Sequence, residues 1–255
     1  HMASAMREIE KRARLIDIFI EVIDARVAQS DRNPELSDII GKKPRLVILT
    51  REDLAEPEIT KQWIDHYAEL YGRAMAVSAE DPNSFAQAPF FMTQLLSGTK
   101  TRGAARAMVL GIPNAGKSRV INGLLRRSVA KVENRPGVTR GPQWFRVGPN
   151  LEMMDTPGIL VTKIESREAQ WKLAMCGAIP HDRFPTEEVV QTFVHWVKVH
   201  RSRSLPELGT FAQARGMLRA GGELELHTAA LAYIKDFNDG KFGRFSFETA
   251  PEGNA

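Results

Sequence analysis

Short apolar runs alternate with segments of helical period along the first 160 residues. The runs have the length and composition of buried strands, and they span 14–26, 44–50, 73–79 and 104–111. Between them, residues 58–72 carry Ile59, Trp63, Tyr67 and Leu70 at spacings of three and four and end at Gly72, which predicts an amphipathic helix. Strands and helices alternating in this way predict an α/β fold, with a mostly parallel sheet covered by helices on both faces.

The pattern changes after about residue 165. Just before it, residues 143–148 and 151–156 flank Pro149 and Asn150 and predict a hairpin added to the sheet. Beyond it, apolar residues recur at helical period, interrupted by glycine and proline, in 187–200, 209–220 and 223–237. We therefore expect residues 1–165 to form an α/β domain and residues 166–255 a small all-helical domain.

Composition sets bounds on the class of protein. The chain has 255 residues, 43% of them apolar, which suffices for one large core or for one core and a small second domain. Its 35 Lys and Arg against 31 Asp and Glu give a net charge of +4, which permits an anionic partner without requiring one. The single cysteine, Cys176, excludes an intramolecular disulfide. We find no apolar run of about 20 residues and no signal-peptide pattern, so we expect a soluble intracellular protein.

Residues 111–118, GIPNAGKS, match the phosphate-loop pattern G-x-x-x-x-G-K-[ST] between a predicted strand and a predicted helix. In such a loop, backbone N–H groups surround phosphate oxygens, Lys117 reaches the outer phosphates and Ser118 offers a hydroxyl to Mg²⁺. A glycine turn without a ligand is the alternative, and the strand–loop–helix context disfavours it. The expected phosphate-binding residues are Pro113, Asn114, Ala115, Gly116, Lys117, Ser118 and Arg119.

Two downstream segments complete the phosphate side. In MMDTPG, Asp155 ends a predicted strand, where it can hold Mg²⁺ through water, and the Gly158 N–H can contact the γ-phosphate. In RPGVTRG, Thr139 lies in a loop flanked by proline and glycine and can cap Mg²⁺ when the γ-phosphate is present. A plain surface turn remains the alternative for that loop.

The residues that read the base are expected upstream, since no N-K-x-D segment follows residue 160. The predicted strand at 44–50 leads into Thr50, Arg51 and Asp53. The Asp53 carboxylate can accept hydrogen bonds from guanine N1 and the exocyclic amine, a donor pair that adenine lacks. Ser78 and the Ala79 N–H, at the end of the next predicted strand, can contact the guanine carbonyl oxygen. This order of motifs is expected when a chain is cut in a loop and its former ends are joined.

These motifs resemble those of the circularly permuted GTPases of the YlqF/RbgA ribosome-biogenesis group over nearly the full chain. The family signature D-A-R-x-P-x-S-x-R-N-P is similar to DARVAQSDRNP from Asp24 to Pro34, and the tail KFGRFSFE at 241–248 is similar as well. The resemblance implies a permuted P-loop GTPase fold and a GTP-driven factor that docks on the large ribosomal subunit during assembly. It also implies C-terminal helices that help to grip rRNA. We expect a monomer with no membrane association, in the cytoplasm or in an organellar matrix.

Four positions bear on the chemistry. Thr50 replaces the asparagine of N-K-x-D, which predicts retained guanine preference with weaker affinity, while Arg51 can lie along the base as lysine does. Ile159 stands where many GTPases place a water-orienting glutamine. The resemblance assigns that task to a histidine near the N-terminus. His1 is that residue or a cloning remnant, so the expected catalytic residues are His1, Lys117 and Thr139.

Other interpretations stay open at this point. The resemblance of Asn114 to the asparagine of potassium-stimulated GTPases implies a K⁺ site beside the phosphates, and a loop residue bonding its own backbone is the equal alternative. A scaffold that binds nucleotide without hydrolysis, or a P-loop ATPase or small-molecule kinase, is an alternative function. His195 and His200 lie five apart, which disfavours a metal site on one helical face. Basic clusters can contact RNA phosphates, and they lie at Lys42, Lys43 and Arg45, at Arg126, Arg127 and Lys131, and at Arg201 and Arg203.

Overall fold

The chain contains a six-stranded sheet, seen in a computed structural model. The structure describes residues 2–112, 116–126, 144–147, 149–155, 164 and 166–253. The strands are β1 (Ile18–Asp24), β2 (Arg45–Thr50), β3 (Gly72–Ala76), β4 (Ala105–Leu110), β5 (Trp144–Arg146) and β6 (Leu151–Asp155). They lie in the order β3-β2-β1-β4-β6-β5, and all neighbours pair in parallel except β5 and β6. The predicted α/β fold and the predicted hairpin are confirmed.

The register of the sheet brings the ends of its central strands together. Asp24 pairs with Thr50 at the end of the β1–β2 ladder, and Glu21 pairs with Leu110 at the end of the β1–β4 ladder. All seven residues of β1 are buried, as expected for a central parallel strand that is covered on both faces. The strand is shorter than the apolar run at 14–26, because Asp24 caps a 3₁₀ turn over Ala25–Val27 by accepting a hydrogen bond from Arg26 N.

The helices that accompany the sheet are α1 (Met2–Ala13), α2 (Pro34–Ile40), α3 (Pro57–Tyr71), α4 (Ala88–Leu95) and α5 (Lys117–Arg126). The predicted helix at 58–72 is confirmed as α3: Pro57 stands in its first turn and Gly72, at φ 95°, ends it. Trp63 and Tyr67 form its buried face and stack with ring centroids 5.3 Å apart. The helix α1 was not predicted, although its Ile9 and Ala13 pack with Phe19 of β1.

The chain divides into two compact units, His1–Thr162 with Glu248–Ala255, and Lys163–Phe247. The second unit contains α6 (Arg167–Met175), α7 (Thr186–His200), α8 (Leu208–Ala214) and α9 (Leu226–Asn238). Its core is aromatic: the Phe193 ring meets those of Phe237, Phe245 and Phe247 edge-on, with centroids 5.0–5.8 Å apart. The helical pattern predicted at 209–220 ends early, at Ala214, and a bridge between Leu218 and Leu224 follows.

The last residues return to the first unit. The Glu248 carboxylate accepts hydrogen bonds from Ser30 N at 2.8 Å and from the Ser30 hydroxyl, and Trp63 Nε1 donates to the Glu248 carbonyl oxygen at 2.8 Å. Ala250 packs against the core cluster that contains Trp63. The backbone and the side chain of Glu248, together with Ala250, therefore hold the tail to the rest of the first unit.

The single cysteine, Cys176, is buried at the end of α6. In the part of the chain that the structure describes, no helix is long and apolar enough to cross a membrane.

Candidate functional site

The site lies at the carboxyl ends of the central strands. In the sheet, β2 and β3 lie on one side of β1, and β4, β6 and β5 lie on the other. The direction in which strands are added to the sheet therefore reverses between β1 and β4. In open α/β sheets, ligands bind at such a switch point, outside the carboxyl ends of the strands. The residues that follow β1, β2 and β4 are therefore the candidate ligand-binding residues.

The phosphate-loop pattern begins where β4 ends. A Cβ added to Gly111 would lie 2.9 Å from the Val22 carbonyl oxygen and 3.2 Å from Lys117 Cγ. Only glycine fits this position, and the Lys117 stem folds back over the start of the loop. Lys117 opens α5, whose N-terminal N–H groups and dipole favour an anion. Ser118 and Arg119 follow on the exposed first turn.

The segment predicted to read the base contacts this loop at Gly116. Gly116 has φ +100°, and a Cβ there would lie 3.3 Å from Thr50 Cγ2 and 3.5 Å from Thr50 Oγ1. Thr50 is buried, and its hydroxyl donates to the Ile23 carbonyl oxygen at 3.3 Å. The end of β2 and the phosphate loop, separated by more than 60 residues of sequence, are therefore in contact.

Arg51 turns the chain from β2 into the segment that carries Asp53. It adopts a left-handed conformation, with φ 56° and ψ 40°, and precedes a 3₁₀ turn over Glu52–Leu54. Such a conformation costs a non-glycine residue about 1–2 kcal/mol. The Arg51 guanidinium donates to Asp24 Oδ2 at 2.7 Å, so its head is held at the end of β1. Asp53 is partly exposed beside it.

Ser78 and Ala79 follow β3 and form the neighbouring turn. Ser78 is buried, its N–H donates to the Ser84 hydroxyl at 3.0 Å, and its own hydroxyl accepts from Glu80 N at 3.2 Å. The Glu52 N–H donates to the Val77 carbonyl oxygen at 3.2 Å, which joins this turn to the segment carrying Asp53. Ala79 is exposed, and its N–H makes no hydrogen bond to another described residue. Ser78 therefore braces the turn, and the Ala79 amide is the better candidate for contact with a base.

A cavity of about 320 Å³ lies between the segment that follows β3 and the helix α5. Its wall contains Ala79 and Arg119, two residues expected to contact the nucleotide. The other lining residues were not predicted, and they are Glu80, Pro82, Phe85, Asn122 and Gly123. The volume is within the range of small-ligand pockets, which run from about 300 to 1,000 Å³.

A buried charge cluster behind the base-reading segment was also missed. Asp24 and Arg26, 2% and 0% exposed, form an ion pair at 2.8 Å, and Asp31 Oδ2 accepts from the Asp24 N–H at 2.6 Å. Burial alone would raise the Asp24 pKa, but the guanidinium groups of Arg26 and Arg51 outweigh it and lower that pKa to about 2. Burial and the neighbouring Asp24 charge raise the pKa of Asp31 well above its usual value. The signature DARVAQSDRNP contains all three residues, but sequence alone does not show that they are buried.

The remaining expected site residues fall outside the description. His1, Pro113, Asn114, Ala115, Thr139 and Gly158 lie outside the described residues, and so do Ile159, Arg127 and Lys131. Asp155 is described by its backbone alone, at the end of β6 and opposite Val109 of β4. These assignments stay predictions. Among the described residues, no group of three or more His, Cys, Asp and Glu is arranged to hold a metal ion.

One basic cluster is only partly available as a cationic surface. Arg45 is 4% exposed and donates to Glu21 Oε2 at 3.1 Å, so it is used inside the fold. Lys43 Nζ donates to the carbonyl oxygens of Ala13 and Ile16 at 2.9 and 2.8 Å. Lys42 and Lys43 are both exposed, so an RNA contact at 42–45 stays a prediction for these two lysines.

A glycine-bounded loop between a central parallel strand and a helix, with a lysine folded over it at the switch point, defines a P-loop nucleotide-binding protein. Comparisons with known proteins agree with this class and point to one family within it. The family described as 50S ribosome-binding GTPase matches residues 106–202, which start in β4 and leave the base-reading segments upstream of the match.

Full-length relatives identify the family. The chain is 36% identical to ribosome biogenesis GTPase A of Priestia megaterium, covering 99% of this chain and 96% of that protein. It is 30% identical to the Thermotoga maritima protein of the same name, covering 97% and 92%. A GDP-bound structure of YlqF matches at TM-score 0.73 and 28% identity, covering 97% of this chain and 100% of that one. A GNP-bound YlqF from T. maritima matches at TM-score 0.74 and 27% identity, covering 96% and 98%. The chain belongs to the ribosome biogenesis GTPase A family.

Proposed function

We propose that this chain is a GTP-hydrolysing assembly factor for the large ribosomal subunit. Loops upstream of the phosphate loop recognise guanine, and the phosphate loop binds the phosphates. As a member of a GTPase family, it binds and hydrolyses GTP. The observation that carries the proposed division of labour is the contact between Thr50 and Gly116. That contact places the upstream segment beside the phosphate loop, as a single nucleotide requires.

On the base side, Asp53 accepts hydrogen bonds from guanine N1 and the exocyclic amine, and the Ala79 N–H donates to the guanine carbonyl oxygen. Thr50 and Ser78 support these contacts from behind, since both are buried and hydrogen-bonded within the protein. Arg51 contributes its stem to the base side while its head stays on Asp24. Adenine offers no donor pair to Asp53, so the carboxylate would be left unpaired by the wrong base.

On the phosphate side, the residues present fit a triphosphate with Mg²⁺. The lack of space for a Cβ at Gly111 and the positive φ of Gly116 support a glycine-dependent loop, and the Lys117 stem lies against its start. Ser118, Thr139 and Asp155 would hold Mg²⁺, which neutralises charge on the β- and γ-phosphate oxygens when bound. Gly158 would contact the γ-phosphate and Asn114 would hold K⁺. His1, Lys117 and Thr139 act in catalysis, and the intrinsic rate is slow because Ile159 cannot orient water.

The proposed partner is the large ribosomal subunit with its rRNA, bound by a monomer in the cytoplasm or in an organellar matrix. In the helical unit, the end of α7 carries exposed Lys198 and His200, and exposed Arg203 follows. Arg201 lies over the Trp196 ring, with its guanidinium carbon 4.6 Å from the ring centroid. Cations beside an aromatic ring suit the phosphates and bases of RNA.

The test is GTP hydrolysis with and without large ribosomal subunits, each in potassium and in sodium buffers. We expect a slow intrinsic rate that rises when large subunits are added, and a faster rate in potassium than in sodium. Small subunits serve as the control and should leave the rate unchanged. Equal rates with and without large subunits would contradict the proposed partner, and equal rates in sodium and potassium would contradict the K⁺ site at Asn114.

A further inference from the structure

Asp24 lies at the carboxyl end of β1, directly beside Thr50 in the parallel ladder. Its Oδ1 accepts from Arg26 N at 2.9 Å and from Arg26 Nε at 3.0 Å. Its Oδ2 accepts from Arg26 Nη2 at 2.8 Å and from Arg51 Nη1 at 2.7 Å. Both carboxylate oxygens are thus fully engaged, and one of the partners belongs to the segment that carries Asp53.

Arg51 connects the Asp24 carboxylate to the segment that carries Asp53. Its left-handed backbone starts the 3₁₀ turn of Glu52–Leu54, so the direction of the turn depends on how Arg51 is held. Leu54 N donates to the Arg51 carbonyl oxygen at 3.0 Å, which links the turn back to the same residue. Asp53 lies inside this turn. A displaced Arg51 would therefore displace the Asp53 carboxylate.

Asp24 is itself immobilised from behind. Its N–H donates to Asp31 Oδ2 at 2.6 Å, and Asp31 is 1% exposed. The Arg26 side chain is fully buried. A carboxylate held by the N–H and the guanidinium of Arg26, on a backbone whose N–H is held by Asp31, is a rigid anchor for the charge-assisted hydrogen bond from Arg51.

We propose that Asp24 is a positioning residue for guanine recognition, acting through Arg51 to hold the turn that presents Asp53 to the base. The inference rests on the proposed role of Asp53. Base recognition is common to GDP and GTP, so Asp24 should affect the affinity for both and leave the chemical step alone.

The experiment compares Asp24→Asn, Arg51→Met and the double variant. Binding constants are measured for GDP and IDP, whose base lacks the exocyclic amine, together with kcat and KM for GTP hydrolysis. Each single variant should weaken GDP binding about tenfold and IDP binding less, because a shifted Asp53 loses the contact to the amine. KM should rise while kcat stays the same. The double variant should be no weaker than Asp24→Asn alone, because both substitutions break one interaction.

Arg12→Met is the matched control. Arg12 pairs with Glu8 at 3.0 Å and its side chain is 25% exposed, against 23% for Arg51, but it lies on α1 away from the site. It should leave the GDP to IDP ratio unchanged. Asp24→Asn removes the charge opposite buried Arg26 and can unfold the protein. In that case Arg51→Met decides, because it leaves the Asp24–Arg26 pair intact.

An unchanged GDP to IDP ratio in folded Arg51→Met, or strictly additive losses in the double variant, would overturn the inference. Asp53→Ala separates this failure from failure of the proposed function. If Asp53→Ala removes guanine preference while Arg51→Met does not, Asp53 reads the base without help from Asp24. If Asp53→Ala binds GDP as the parent protein does, the proposed base contact is itself wrong.

Discussion

The contact between Gly123 of α5 and the Phe85 ring can be tested with a single methyl group. A Cβ at Gly123 would lie 2.5, 2.6 and 2.7 Å from Phe85 Cζ, Cε1 and Cε2. The Phe85 ring is 2% exposed and closes the 3₁₀ turn of Pro82–Phe85, close behind Ala79. Gly123→Ala therefore forces the helix that follows the phosphate loop away from the turn that follows the base contact.

Two opposing free-energy terms set the change in stability that Gly123→Ala causes. Replacing glycine by alanine inside a helix stabilises it by about 1 kcal/mol, and no positive φ opposes the change at Gly123. Adding a methyl group to a filled core costs about 1–3 kcal/mol. The second term is expected to dominate, because three atoms of the Phe85 ring would lie closer to the new Cβ than real Cβ contacts do. We predict a net destabilisation of up to about 2 kcal/mol.

The assay is urea unfolding of Gly123→Ala, Phe85→Leu and the double variant. Phe85→Leu alone should destabilise by leaving a cavity, and it should relieve the crowding in the double variant, giving a favourable coupling of about 0.5–3 kcal/mol. Asn122→Ala, at the exposed neighbouring position of α5, measures the effect of helix propensity alone. A Gly123→Ala protein that is stabilised by about 1 kcal/mol, with no coupling to Phe85, would refute the reasoning.

Three further predictions concern charge and hydrogen bonding. The pKa of Asp31 is raised in the folded protein. Asp31 therefore stabilises the fold most at pH values below its ordinary pKa of 3.8, and this stabilisation declines as the pH rises. Unfolding free energy should therefore decline from pH 4 to pH 8 in the parent relative to Asp31→Asn, and a rise would contradict this. Glu248→Gln should cost about 1–2 kcal/mol, seen as faster proteolysis of the tail, with exposed Glu252→Gln as the control. Thr50→Asn should tighten GDP binding about twofold to tenfold, since an amide can add a hydrogen bond to the loop at Gly116; weaker binding would argue against a bracing role.

The sheet and the phosphate loop were predictable because their signals are local. The apolar run at 104–111, the glycine spacing of GIPNAGKS and the helix after it lie within one continuous segment, and the structure contains β4 and α5 there. The proposed base recognition at Thr50 to Asp53 needed a different inference, from the chemistry of a carboxylate and the absence of a downstream motif. The structure brings Thr50 beside Gly116, and the contact of Asp53 with a base stays a prediction.

What sequence reasoning missed depends on contacts between distant residues. Asp24, Arg26 and Asp31 look like solvent-exposed charges, and their burial results from β1 lying at the centre of the sheet. Arg45 was taken for a surface cation, because nothing local shows that Glu21 lies beside it. The helix α1 had a signal in the spacing of Ala5, Ile9 and Ala13, which is the one omission that the pattern itself could have corrected.

The central claim is that the base is read by the carboxylate of Asp53, upstream of the phosphate loop. It is tested most directly by competition binding of GTP, ATP and XTP to the parent protein and to Asp53→Asn. In xanthine a 2-oxo group replaces the exocyclic amine, so an asparagine amide can donate where the aspartate accepts. We predict that the parent binds GTP at least about 100-fold tighter than XTP or ATP, and that Asp53→Asn binds XTP tighter than GTP. ATP binding as tight as GTP binding in the parent, or an unchanged GTP to XTP ratio in Asp53→Asn, would contradict the account.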